Sequence, residues 1–171
     1  MEEKKPKFGI RYGLMAAGGM ILFTFLLYRG GIDVYLGPVA YLGYAIMITL
    51  AVLATLAQRK YQGGVLEFSE ALKTAFTVFV IALAAQTLFT WALVNFFDPA
   101  FKPVLNKAIN DRMEAYWKRQ GMPDNLLEES MAKQRSGDPF ILREMFLGFA
   151  LSCILHFIIS LPIAFIVKKK K

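Results

Sequence analysis

The sequence predicts an all-α fold: an integral membrane four-helix bundle with an extracytoplasmic amphipathic helical segment between helices three and four. Two observations predict it. Of the 171 residues, 56% are hydrophobic and 19% charged, whereas soluble domains carry nearer 25% charge. The charges are also confined, because residues 9–28, 37–57, 74–97 and 145–167 contain none apart from Arg11. Each of these runs has 20 to 24 residues, and about 20 residues rising about 1.5 Å each cross a hydrocarbon layer of roughly 30 Å. Inside that layer a chain must close its backbone hydrogen bonds as a helix or a closed barrel. The runs lack the alternation of barrel strands, and they lack the polar stripe that a buried soluble helix of this length keeps. Residues 1–171 therefore read as one membrane domain.

Taken in order, the first run follows Lys4, Lys5 and Lys7, the layout of a signal peptide. It exceeds an apolar region of about 7–15 residues and no small-x-small cleavage pattern follows, so it reads as a retained span. Arg29-Gly30-Gly31-Ile32-Asp33 is a short turn that makes the first two spans antiparallel neighbours. Gly63-Gly64 breaks the next connection, and Ser69-Glu70 opens the third helix. Pro162 near the end of the fourth span predicts a bend there. Cys153 is the lone cysteine, which excludes a disulfide framework and a cysteine-based metal site.

Charge sets the expected orientation. The N-terminal tail (Lys4, Lys5, Lys7, Arg11), the second connection (Arg59, Lys60, Lys73) and the C-terminal Lys168–Lys171 together hold eleven basic residues on one side. On the other side, the third connection balances eight basic against seven acidic residues over about 45 positions. Positive-inside counting puts both termini in the cytoplasm. The formal charge of +7 thus points to a membrane surface, not to nucleic acid.

The exported segment, residues 98–142, carries two helices. Asp98-Pro99 is expected to cap the first, with Asp98 as N-cap and Pro99 at the first helical position. Phe101, Val104, Leu105, Ala108, Ile109, Tyr116 and Trp117 then recur at three- and four-residue spacing, an amphipathic helix of five to six turns ended by Gly121 and Pro123. Its face of Phe101, Leu105, Ile109, Tyr116 and Trp117 must cover itself on the membrane surface, the bundle's outer mouth, the second helix or a partner. That second helix, near Asp124–Arg135, ends at Ser136-Gly137, and Asp138-Pro139 repeats the cap device before the last span.

Two polar groups stand out at mid-depth. Gln86 centres the third span and His156 the fourth. An unpaired polar group in hydrocarbon costs several kcal/mol, so both are expected to face the bundle interior within reach of one another. They are either a hydrogen-bonded pair between helices or a proton relay or ligand site. Gly148, Ser152, His156, Ser160 and Ala164 recur every four residues, as do Gly9, Gly13 and Ala17. Such stripes let helices approach closely, within this bundle or between copies. No HExxH, Gly-x-Ser-x-Gly or Walker pattern occurs, and no Asp or Glu lies within a span, which argues against catalysis.

Gln62–Phe76, Asp98-Pro99-Ala100-Phe101 after span three, and an apolar last helix ending in lysines resemble a family of small bacterial four-helix membrane proteins catalogued as domain of unknown function 4199. The likeness covers nearly the whole chain. It implies this topology and a bacterial inner membrane, and no activity. The expected function is an accessory, scaffold or assembly-type membrane protein without catalysis, acting through helix packing and its exported segment. Its expected contacts are the lipid bilayer and another membrane protein or a second copy; no cofactor, metal or nucleic acid is expected. The alternative is a small transporter or channel with a path near Gln86 and His156.

Overall fold

The computed structural model describes residues 7–135 and 137–169, with Arg135 described by its backbone alone. Lys4, Lys5, Ser136, Lys170 and Lys171, used above for charge and helix ending, lie outside the described residues. The apolar runs become four helices long and apolar enough to cross a membrane. These are α1 (Phe8–Arg29), α3 (Leu42–Tyr61), α4 (Phe68–Ala92) and α7 (Leu142–Val167). A short helix α2 (Ile32–Tyr35) and a 3₁₀ turn, Pro38–Tyr41, precede α3. Two further helices, α5 (Phe101–Arg119) and α6 (Asp124–Arg135), join α4 to α7.

α4 is the central helix and packs against α1, α3 and α7. Its buried positions Ala71, Thr74, Ala75, Val78, Phe79, Ala82 and Leu83 step by three and four, the spacing of one helix face. Most are small, so neighbouring backbones come close. In lipid, where no hydrophobic gain separates protein from solvent, van der Waals closeness is what holds helices together. α1 answers with Gly9 and Gly13, where an added Cβ would stand 3.0 Å from Thr77 and 2.8 Å from Ile81. The large apolar side chains that remain, such as Leu14, Leu22, Leu88, Ile154 and Ile166, point outward and are exposed, as lipid-facing positions require.

The two ends of the bundle differ. At one end the Phe8 ring meets Tyr61 at 5.7 Å between centroids. There the backbones of Leu66 and Lys169 exchange two 3.0 Å hydrogen bonds, so the α3–α4 turn is clasped to the C-terminal segment. Gly63 and Gly64 make that turn with φ of +75° and +90°, values costly for any residue with a Cβ. This is called the tail end below. At the opposite, cap end, α4 runs on into a π-helical turn (Leu93–Phe97), closed by Asp98 N–H donating to the Leu93 carbonyl at 2.8 Å.

α5 starts on top of the cap end. Phe101 sits edge-on to Tyr28 at 5.0 Å and to Tyr35 at 5.5 Å, and Leu105 is buried in the same cluster with Leu93, Val94 and Phe140. Polar contacts fix the rest: Lys102 Nζ reaches Asp138 at 2.6 Å and Asn95 Oδ1 at 3.2 Å. Asn95 Nδ2 donates to the Phe140 carbonyl at 3.2 Å, and Arg112 donates to the Leu36 carbonyl.

The caps differ from expectation. The first helix begins at Phe101, with Pro99-Ala100 forming a turn before it. Asp98 still serves the helix entry, accepting from Phe101 N–H at 3.3 Å, but its other oxygen takes the Tyr28 hydroxyl at 2.7 Å. Asp138 does not cap α7, which starts four residues later with Ile141 at its N-cap. It accepts from Phe140 N–H at 3.0 Å and from Lys102. Pro139, three positions before the helix, forms a turn with Phe140 instead of entering α7. Pro162 lies inside α7, which continues past it to Val167.

Candidate functional site

α7 is most deeply buried along its second half, while Met145, Phe149, Ser152 and Cys153 nearer its start are half-buried. His156, Ser160, Ile163, Ala164 and Val167 are buried, while Phe146, Leu147, Leu151 and Leu155 near its start are exposed. Packing is looser toward the cap end, and a cavity of about 280 Å³ opens there between α1, α3, α4 and α7. Tyr44, Gln86, Thr87, Thr90, Ser152 and His156 line it, with Met20, Met47, Leu83 and Met145 among the apolar walls. No charged side chain is part of the lining.

The cavity stops at mid-depth. Below it, toward the tail end, Ala51, Ala54, Thr55, Ala75, Val78, Phe79, Ala82, Ser160 and Ala164 are all fully buried. The reason is residue size: alanines and serine in three helices let the backbones close around Phe79, leaving no continuous passage among the described residues.

His156 forms the floor. Its Nδ1 lies 2.8 Å from the Ser152 carbonyl. A carbonyl only accepts, so Nδ1 is the donor of this pair, and in the tautomer that this bond selects Nε2 is an acceptor. The residue is 3% exposed and no described group pairs with that Nε2. Tyr44 stacks on the imidazole at 5.7 Å and 9° between planes, and Phe79 lies tilted at 5.1 Å. Buried acceptors in native proteins are nearly always satisfied, and this one lies on a residue that lines the cavity.

Gln86 and His156 both line this cavity but form no hydrogen bond with one another. The expected direct pair is replaced by a bond from His156 back to its own helix, which its spacing of four from Ser152 makes local. In the small-residue stripe of α7, Ser160 donates to the His156 carbonyl at 2.7 Å and Ala164 is fully buried, whereas Ser152 faces the cavity. Gly148 departs from the stripe's expected role. It is exposed and an added Cβ would meet nothing within 4 Å, because it lies on the outward face of α7 while Met145 and Phe149 pack inward. In α1, Gly9, Gly13 and Ala17 are buried.

On α5, the expected apolar face is divided. Phe101 and Leu105 are buried against the cap end, Ile109 and Trp117 are half-buried, and Tyr116 is 56% exposed. Tyr44, Thr87 and Thr90 were not singled out from sequence, although Gln86, Thr87 and Thr90 at one- and three-residue spacing form a polar patch on one face of α4. Thr24 and Asn110 are likewise buried polar residues, each with an unpaired oxygen, that no local pattern announces. Among the described residues no cluster of three His, Cys, Asp or Glu side chains is placed to hold a metal ion.

A family model, described as "Protein of unknown function (DUF4199)", matches residues 11–169. The chain belongs to this family. No curated protein and no solved structure matches it, so membership in the family brings no assigned chemistry.

Proposed function

We propose that this is a multi-pass protein of the bacterial inner membrane, with its tail end and both termini in the cytoplasm, that works without catalysis as an accessory or scaffold protein. In this reading the segment 98–142 stands outside the membrane and presents α5 and α6 to a partner. The observation that carries it is how firmly α5 is held while part of it stays uncovered. Phe101, Lys102 and Arg112 tie it to the bundle, yet Val104, Tyr116 and, on α6, Leu126 remain exposed. A fixed surface with apolar anchors binds a partner at lower entropic cost than a mobile loop. The orientation is supported by Lys7, Arg11, Arg59, Lys60, Lys73, Lys168 and Lys169 at the tail end, and the absence of catalysis by spans free of Asp and Glu.

A photoreactive residue at Tyr116 or Trp117 in native membranes tests this. Adducts to one protein partner are the expected outcome; lipid adducts alone would refute it. The second reading, a small transporter, has the half-depth cavity in its favour. Solute flux into liposomes, compared between the wild type and His156→Ala, tests it, and identical leak across varied solutes would remove it.

A further inference from the structure

The half-depth cavity does not end at α4 and α7. Where Thr87 and Met145 line it, a second depression of about 220 Å³ begins on the outward side, between the same two helices. Ala84, Leu88, Trp91, Leu142, Phe146 and Phe149 form it, and it presents only apolar surface. Both lie where the first half of α7 is only half-buried: an uncharged polar chamber inside and an apolar slot outside, sharing two wall residues.

We propose that chamber and slot together bind a neutral lipid whose small head carries a hydroxyl group, the head lying in the chamber and a hydrocarbon chain in the slot. Three observations select this class. A polar compartment adjoining an apolar one, with Thr87 and Met145 as shared walls, fits an amphiphile, not a freely soluble solute. The absence of any charged residue in either lining disfavours a phosphate head, which would be desolvated without a counter-charge. His156 Nε2 is an acceptor without a donor, so the head must supply an O–H or N–H; a head offering only carbonyls would leave it unpaired. Gln86, Thr87 and Thr90 then serve the remaining donors and acceptors of the head. Nε2 is out of contact with solvent, so the head reaches it as Tyr44, stacked on the imidazole but 45% exposed, turns aside. The proposal stands whether or not α5 and α6 recruit a partner.

The test uses the full chain in phosphatidylcholine vesicles containing diacylglycerol with a diazirine near the end of one acyl chain. Control vesicles carry the same chain on phosphatidylglycerol. After illumination, adducts are mapped by mass spectrometry. Diacylglycerol adducts on Leu88, Trp91, Phe146 and Phe149 should exceed those on the lipid-facing Leu22 and Leu26 by about fivefold, the preference a single hydrogen bond confers. Phosphatidylglycerol should show no such preference. His156→Leu removes the acceptor and Ala84→Trp fills the slot; each should abolish the enrichment, and either decides alone if the other does not yield a monodisperse protein. Equal labelling by both lipids, or enrichment that survives the substitutions, overturns the proposal. Displacement of the diacylglycerol probe by free glycerol would show a water-soluble occupant and overturn it as well.

Discussion

The same four helices meet in two different ways at the two ends of the bundle. In the tail half, alanine, glycine and serine face one another and close the interior around Phe79 with no accessible surface left on it. In the cap half, Tyr44, Met47, Gln86 and Met145 stand where small residues would have to be for closure, and a cavity remains. The difference teaches that helix contact in this fold is set residue by residue by side-chain bulk. Where bulk rises, polar groups take the space that packing gives up.

The largest effect expected from breaking this contrast is in the sealed half. Gly13→Leu drives a side chain into Ile81, which an added Cβ alone would approach to 2.8 Å, and should cost about 1–3 kcal/mol. Gly148→Leu, in the open half with nothing within 4 Å, should stay within about 0.5 kcal/mol. Thermal unfolding of both variants in mild detergent compares them, and equal losses would erase the distinction between the halves.

A smaller effect sharpens the contrast at the cap. Tyr28→Phe removes the 2.7 Å hydrogen bond to Asp98 and keeps the ring against Phe101, so it should cost about 1 kcal/mol. The loss should appear as faster hydrogen exchange in α5 with α4 residues 71–82 unchanged. Acceleration spread evenly over both halves would contradict a locally pinned cap.

The smallest effect is electrostatic. The hydrogen bond from Lys102 holds the Asp138 carboxyl below its usual value of 3.8, against an opposing push from burial. A depressed carboxylate contributes stability that is present above 3.8 and lost as pH falls through the lower folded value. Because the Asp138 side chain is 41% exposed, solvent screening keeps the contribution within about 0.2–1 kcal/mol. Hydrogen exchange in α5, corrected for intrinsic rates, should therefore rise below pH 3.8 in the wild type and show no such step in Asp138→Asn. A step of equal size in the variant would assign it to another group.

Much of the fold was legible beforehand because its signals are local. The uncharged runs, the glycine turns at Gly30-Gly31 and Gly63-Gly64, and the helix near Asp124–Arg135 each depend on a few adjacent residues. The site was legible in part. Gln86 and His156 could be placed at similar depth by counting along their spans. That His156 would bond back to Ser152, that Asp138 would turn toward Lys102 instead of capping α7, and that Gly148 would face nothing depend on residues far apart in sequence.

From its sequence alone, this protein's four long helices, each of a length that can cross a membrane, were determined, because an uncharged apolar run of some twenty residues without strand alternation closes its backbone bonds in oil as a helix. Tertiary structure alone decided how α7 packs against α4, and with it the cavity, the orphaned imidazole nitrogen and the slot beside them. Helix separation is set by the sum of the side chains that meet at each crossing, and those partners come from different spans.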